Sequence, residues 1–385
     1  MSFVARAIDL EDEERVLLDG FASFAEKELR PLAERYAEGP VLPAELVRSL
    51  FQRLEEFGLL SGLVPESDRG AGLRFSTYGL LFEELVRSWP DLALGVLIQS
   101  VGVSLLSAFA SAEQKARVLP ALLRGERIIC ACISEPAAGS NVAEIETRAT
   151  RDGDSYLIRG EKLWISNGSW ADLAIVVCRT ESGLSMLLAD RADGWTSRDI
   201  DKMGLHAAST AELRFDDVRV PVANLVGEEG KGLRQTLRVF ERARVLVGLS
   251  GVGTARAAFE DALAYAGARR QHGKPIAGHQ LIQAYLAEMA TEIDAAYLLC
   301  DRALRLLERG MRCDTEASMA KWYATEMAVR VTSTALQIHG GVGITKEFRA
   351  ERHFRNARML PIPDGTTEIQ KLVIGRNLTG LSAFS

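Results

Sequence analysis

The sequence is poor in the features that mark several functional classes. Its five cysteines, at positions 130, 132, 178, 300 and 313, have neither metal-ligand nor disulfide-framework spacing. An odd, scattered set suits a reducing compartment, and Cys130 and Cys132, two apart in an apolar run, read as core residues of one strand. Positive charge is outnumbered: 46 lysines and arginines against 52 aspartates and glutamates leave a net charge of −6. That balance argues against a general nucleic-acid partner. No apolar run is expected to be long enough to cross a membrane. Met1 to Leu10 lacks the basic start and apolar stretch of a signal peptide, so a cytoplasmic location is expected. The loop Gly227-Glu228-Glu229-Gly230-Lys231-Gly232 lacks the spacing and hydroxyl of a P-loop and is given no phosphate role. There is no internal repeat.

What is present is a globular composition, 47% hydrophobic and 25% charged, in 385 residues, enough for two or three domains. The texture changes twice. Up to about residue 123 the apolar pattern is helical, with Val16, Leu17, Phe21, Phe24, Leu29 and Leu32 near a 3.6-residue period. Pro43-Ala44-Glu45 opens a second helix that Gly58 ends. Helices are expected from Tyr78 to Trp89 and from Leu92 to Phe109, the latter apolar all round and so buried between others. Ser111-Ala112-Glu113-Gln114 is a capping-type start. From Arg127 to Asn224 short β-rich runs alternate with turns, predicting a compact, mostly antiparallel barrel or sandwich. Long helices follow: Leu233 to Arg270, Gln280 to Arg309, Thr315 to His339, and Glu368 to Leu378. The predicted class is α+β, with a helical domain (1–125), a β domain (126–232) and a helical bundle (233–385). Arg349, Arg352, Arg355 and Arg358 recur at helical spacing among Glu347 and Glu351, which reads as a solvated face.

Two segments stand out. Cys132-Ile133-Ser134-Glu135-Pro136-Ala137-Ala138-Gly139-Ser140 ends an apolar strand in a loop whose small residues let the backbone approach a ligand. Lys162-Leu163-Trp164-Ile165-Ser166-Asn167 sets Trp164 and Ser166 two apart, on one face of a strand, an apolar plate beside a hydroxyl. Such a pair suits a planar, partly polar ring system. Either segment alone reads more plainly as a hairpin loop with a core tryptophan.

In order with four later stretches, these segments resemble the acyl-CoA dehydrogenase family over nearly the whole chain. The later stretches are Met203-Gly204-Leu205-His206 with Leu213 to Val218; Tyr265 to Arg269 running through Gly273-Lys274-Pro275-Ile276 to Gln280; Gln337-Ile338-His339-Gly340-Gly341-Val342-Gly343; and Pro363-Asp364-Gly365-Thr366-Thr367-Glu368-Ile369-Gln370. His206 and His272 depart from the family's usual arginine and phenylalanine. The resemblance implies FAD, an acyl-CoA substrate, an electron-transferring flavoprotein as partner and a homotetramer built as a dimer of dimers. The chemistry implied is α,β-dehydrogenation: a carboxylate takes the α-proton while the β-hydrogen leaves as hydride to the flavin N5.

Asp364 stands where the family carries its catalytic glutamate. Read locally, an Asp-Gly turn that merely starts a helix is an equal alternative, and the family register favours catalysis. Aspartate is about 1.5 Å shorter than glutamate, and Pro363 replaces a common aromatic, so the acyl end of the site is atypical and suits a branched or cyclic acyl group. Ala243 occupies the alternative base position of some members and cannot serve.

By motif position the resemblance places FAD against Ala131, Ile133, Ser134, Gly139, Ser140, Trp164, Ile165 and Ser166. Arg269, Gln280, Gln337, Gly341, Thr366 and Glu368 take its pyrophosphate and adenosine, partly across a subunit boundary. Substrate contacts are assigned to Ser140, Gln99, Glu241, Arg244, Pro363, Gly365 and Arg376, with Gly95 and Gln99 lining the acyl pocket, Glu241 near the CoA end and Arg244 on the adenine or phosphate side. Asp91 reads first as a helix N-cap and second as another base. Alternatives within the fold are a nitroalkane-oxidase-like flavin oxidase, a dehydrogenase of acyl-carrier-protein thioesters, and a non-catalytic acyl-CoA- or FAD-binding scaffold.

Overall fold

The first helical run is reshaped by Pro31, which has no N–H to donate to a preceding carbonyl. In the computed structural model, which describes residues 10–383, α1 (Asp12–Phe24) passes through a π-helical turn, Ala25–Leu29, into α2 (Arg30–Tyr36). The wider turn absorbs the missing hydrogen bond. A stripe of Phe21, Ala25, Leu29 and Ala33 is buried, and Val16, expected on the apolar face, lies in solvent. The segment read as lacking a signal peptide lies, except for Leu10, outside the described residues.

α3 (Ala44–Glu55), α4 (Phe75–Ser88), α5 (Pro90–Phe109) and α6 (Ala112–Leu123) complete a helical N-terminal domain. Ser111 and Gln114 close the expected capping box at α6. α5 corrects one expectation. It has 20 residues and a mean hydropathy of 2.0 in its most apolar window, so by length and composition it could cross a membrane, yet 72% of that window is buried inside the protein. It packs against α4, α6 and the first strand.

The middle domain is one eight-stranded sheet: β1 (Ile129–Cys132), β2 (Arg148–Asp152), β3 (Ser155–Ser166), β4 (Leu173–Thr180), β5 (Gly183–Asp190), β6 (Thr196–Asp199), β7 (Thr210–Pro221) and β8 (Leu225–Val226). Its order is β6-β7-β3-β2-β4-β5-β8, with β1 parallel on β4. β2 meets β4 through the single pair Arg148 and Arg179, so the sheet folds into two leaves. Cys130, Ile158, Val176, Trp195 and Phe215 from the two leaves share a core of their own. β7 runs unbroken through Asp217, which takes a positive φ of 53° while the chain carries on as strand.

The C-terminal domain holds α7 (Gly232–Ala268), a small hairpin of β9 (Arg270–Gln271) and β10 (Lys274–Pro275), then α8 (Gln280–Glu308), α9 (Asp314–His339), α10 (Ala350–Met359) and α11 (Thr367–Thr379). α7, α8 and α11 pack around α9. Gly251 permits the closest approach, since a Cβ there would lie 2.6 Å from the Ala324 carbonyl.

α10 overturns the reading of its arginines as a solvated face. Arg352 pairs with Glu34 at 2.8 Å and Arg355 with Glu38 at 3.0 Å, both in the N-terminal domain. Arg349 and His353 hold Asp261 of α7. Arg355 also reaches the middle domain, donating to the Met203 carbonyl and meeting His206 Nε2 at 2.7 Å. Gly204 lies so close that a Cβ would sit 2.8 Å from the Arg355 backbone. The helix is a clasp among three domains, and Arg358 alone of the four stays exposed.

Candidate active site

A strand that alternates regularly would turn Trp164 inward with Lys162. A register shift between Lys162 and Ile165 prevents this, with Trp164 at φ +63°. Ile158 and Lys162 are buried before the bulge, Ile165 and Asn167 after it. The bulge therefore re-aims Trp164 and Ser166 together onto the open face, where the tryptophan is 60% exposed. Leu163 N donates to Ser134 O at 2.9 Å, which joins this strand end to the loop after β1. Ala131 and Ser134 are half-buried, Gly139 and Ser140 are exposed, and a Cβ on Gly139 would touch nothing. Ile133 and Ile165 point into the core, so they offer a ligand only backbone, not the side chains also expected of them.

Beneath that face lies a pair the sequence reading missed. Lys162 Nζ, fully buried, donates to Ile133 O (2.9 Å), Val177 O (2.6 Å) and Glu135 Oε1 (2.8 Å). Glu135 also accepts from the amides of Glu146 (2.6 Å) and Thr147 (3.0 Å). The signal was present as a lysine on the inward side of an apolar strand.

Three residues near α5 have other work than expected. Gln99 is fully buried; it donates to Leu122 O and Arg127 O and accepts from Ile129 N, tying α5 to α6 and β1. Gly95 packs on Trp170, Phe51 and Asn167. The half-exposed side of the middle of α5 is that of Leu94 and Ile98, one turn apart. Asp91 lies inside the first turn after the N-cap Trp89, and its carboxylate accepts from Ala207 N at 2.9 Å. It is a buried link between domains, its pKa raised by burial against the pull of that amide.

Asp364 sits on a turn before α11, with φ +54° followed by Gly365 at +89°. A Cβ on Gly365 would meet Gln370 Nε2 at 2.6 Å. Gln370 donates to the carbonyls of Asp364 (3.1 Å) and Gly365 (2.9 Å), and Thr367 N to that of Pro361 (3.1 Å). Lys321 of α9, fully buried, donates to Pro361 O (2.8 Å) and Gly365 O (2.9 Å). Burial raises the pKa of Asp364, opposed by the charges of Lys321 and then Arg244. Arg244, expected toward the adenine or phosphate side, lies near the carboxylates Asp314, Asp364 and Glu241, and among the described residues its Nε has no hydrogen-bond partner. Glu241 Oε1 accepts from Cys313 N at the start of α9. Thr366 caps α11 by accepting from Ile369 N, while Pro363, Glu368 and Arg376 are exposed.

A third cluster lies at the far end of α7. The 25 positions from Arg244 to Arg269 correspond to about 37 Å of helix. There Tyr265, Arg269, His339, Val342 and Phe348 line a cavity of about 660 Å³. Tyr265 and His339 stack with ring centroids 4.5 Å apart. Gln280, Gln337 and Gly341 are exposed, and a Cβ on Gly341 would meet nothing.

A benzylmalonyl-CoA dehydrogenase of Aromatoleum aromaticum is 37% identical over 377 residues, covering 96% of this chain and 99% of the relative. The chain belongs to the acyl-CoA dehydrogenase family. The family's models match in order: acyl-CoA dehydrogenase N-terminal domain over residues 11–126, middle domain over 130–218 and C-terminal domain over 230–379. The mitochondrial short-chain specific acyl-CoA dehydrogenase of Bos taurus is 36% identical over 386 residues, covering 97% of this chain and 92% of that one. A glutaryl-CoA dehydrogenase of Mycobacterium smegmatis, solved with FADH2, superposes with a TM-score of 0.92 at 31% identity, covering 98% and 97% of the two chains. This acyl-CoA dehydrogenase is an FAD-dependent oxidoreductase. Its residues fit the cofactor: the bulge presents Trp164 as an uncovered plate beside Ser166, and the loop at Ser134, Gly139 and Ser140 leaves hydroxyls and open space next to it.

Proposed function

We propose that Asp364 is the base that removes the α-proton of an acyl-CoA thioester. The observation that carries this reading is the Asp364–Gly365 turn itself, two successive positive-φ residues whose carbonyls are held by Lys321 and Gln370. A fixed backbone leaves the short carboxylate few places to go, which is what a positioned base requires. Burial raises its proton affinity, so it is a stronger base when ionised. When bound, FAD supplies the acceptor for the hydride from the β-carbon. Trp164 and Ser166 hold and orient that cofactor on the open face of β3. Arg269, some 37 Å from Arg244 along α7, serves with Gln337 and Gly341 the cofactor of a neighbouring subunit in a homotetramer. An electron-transferring flavoprotein takes the electrons onward.

The substrate in this reading is branched or cyclic. The shortened base supports it, and so does the 37% identity to an enzyme named for benzylmalonyl-CoA. The test is anaerobic flavin bleaching by straight, branched and cyclic acyl-CoAs, with wild type and Asp364→Asn. The variant is expected to keep FAD and lose about 10²–10⁴-fold in bleaching rate. Bleaching at the wild-type rate would place the base elsewhere.

A further inference from the structure

Lys321 is a charged side chain with no solvent exposure in the middle of a helical bundle. Burying an ammonium is costly, and such a group is normally neutral, paired or used. Its two hydrogen bonds go to backbone carbonyls, at Pro361 and Gly365, which bracket Asp364 on either side. Neither bond needs a full charge, since an uncharged amine still has two N–H groups to donate. These two tethers place the ammonium beside Asp364, whose negative charge raises the Lys321 value while the Lys321 charge lowers that of Asp364.

We propose that Lys321 is the positioning residue of the base: it clamps both ends of the Asp364 turn and supplies the positive charge that faces the carboxylate. This inference rests on the reading of Asp364 as the base. The other charged groups around the pair are Arg244 and Glu241 on α7, Glu326 and Asp314 on α9, and Glu368 and Arg376 on α11. Glu368 and Arg376 are exposed, and Glu241 is engaged at the start of α9. Arg244 adds a second cation, ranked behind Lys321 in its effect on Asp364. Burial lowers the Lys321 ammonium to about 8, so it is protonated through the neutral range. There its positive charge opposes the burial that raises the Asp364 carboxyl. Above that range both carbonyl tethers survive, while the charge is lost.

The inference predicts separate effects for tether and charge. Lys321→Gln and Lys321→Met remove the charge, and Lys321→Arg keeps it. Two quantities are read against pH in each variant: the rate of acyl-CoA-driven flavin bleaching, and the protonated-carboxyl infrared band that Asp364→Asn deletes. In the Gln and Met variants, both titrations are expected to move up by about one pH unit or more. In the Arg variant both should stay near wild type. A rate that falls equally at every pH, with the Asp364 band titrating as in wild type, would overturn the proposal and leave Lys321 a structural tether. Loss of the fold or of bound FAD in both neutral variants would overturn it too. Failure of the underlying reading looks different: Asp364→Asn would then bleach at the wild-type rate, whatever the infrared band did in the lysine variants.

Discussion

Lys162 and Glu135 form a salt bridge, Nζ to Oε1 at 2.8 Å, in which the lysine side chain has no solvent exposure and the carboxylate is 5% exposed. It ties the loop after β1 to the strand that carries Trp164.

Breaking that pair from one side strands a buried charge. Glu135→Ala or Lys162→Ala is expected to lower stability by about 3–5 kcal/mol. FAD should be lost with it, because the Ser134 loop is no longer held against β3. Replacing both by apolar residues of similar size should cost less than either single change. The pair also sets an acid dependence. Burial alone would raise Glu135, but the hydrogen bonds from Lys162 and Thr147 outweigh it and hold its pKa below the ordinary carboxylate value. A depressed folded-state value stabilises above the unfolded pKa, and that contribution is lost as pH falls through the folded one. Urea unfolding of wild type and Glu135→Gln should therefore differ most near neutral pH and converge in acid. A gap that stays constant down to strongly acidic pH would show that the charge on Glu135 is not what stabilises the loop.

The domain order and the long helices are legible in the sequence because their signals are local: a 3.6-residue period, Ser111 and Gln114 three apart, and Gly58 after a helix. β2, β6 and β8 carry no such signal. They are short, and β2 reads Arg-Ala-Thr-Arg-Asp, a polar run that becomes strand through its neighbour β3. The ordered motifs pointed to Asp364 and Trp164, but not to what holds them. Lys321 meets Pro361 across 40 residues and Arg352 meets Glu34 across 318, and neither partner marks the other in the chain. An all-round apolar helix such as α5 offers no face from which to say which side lines a pocket, so the burial of Gln99 and Gly95 is not legible in it. Likewise the bulge that re-aims Trp164 depends on pairing with β7, not on the sequence of β3 alone.

The cavity between Arg269 and the glycine turn is where a second subunit's cofactor would test the assembly. Arg269→Ala is expected to weaken FAD retention by about 1.5–3 kcal/mol, the value of a charge-assisted hydrogen bond to a phosphate. Gln337→Ala should weaken it by less. In the proposed reading these residues serve a neighbouring subunit, so conditions that split the oligomer should release flavin from wild type as well. Gel filtration with absorbance at the protein and flavin bands reads both. Flavin that stays with a monomer, or an Arg269→Ala protein that retains FAD as wild type does, would remove this cluster from the cofactor site.

Asp364→Glu tests whether the short base belongs to this backbone. At φ +54° the residue lies in the left-handed region, which aspartate tolerates better than most side chains because its short polar group can bond locally. The turn has little room to adapt: Lys321 and Gln370 hold its carbonyls, and Gly365 already packs against the Gln370 amide. The extra methylene must therefore push the carboxylate forward by about 1.5 Å, in the proposed reading toward the α-carbon. With FAD still bound, the acyl-CoA that wild type bleaches fastest should react about 10²-fold more slowly, the penalty of a misplacement near 1 Å. Straight-chain acyl-CoAs should lose less, so the ranking of substrates shifts toward them. An unchanged rate on the wild type's best substrate would mean that the α-carbon lies where a glutamate reaches it, and that the shorter side chain does not select the acyl group.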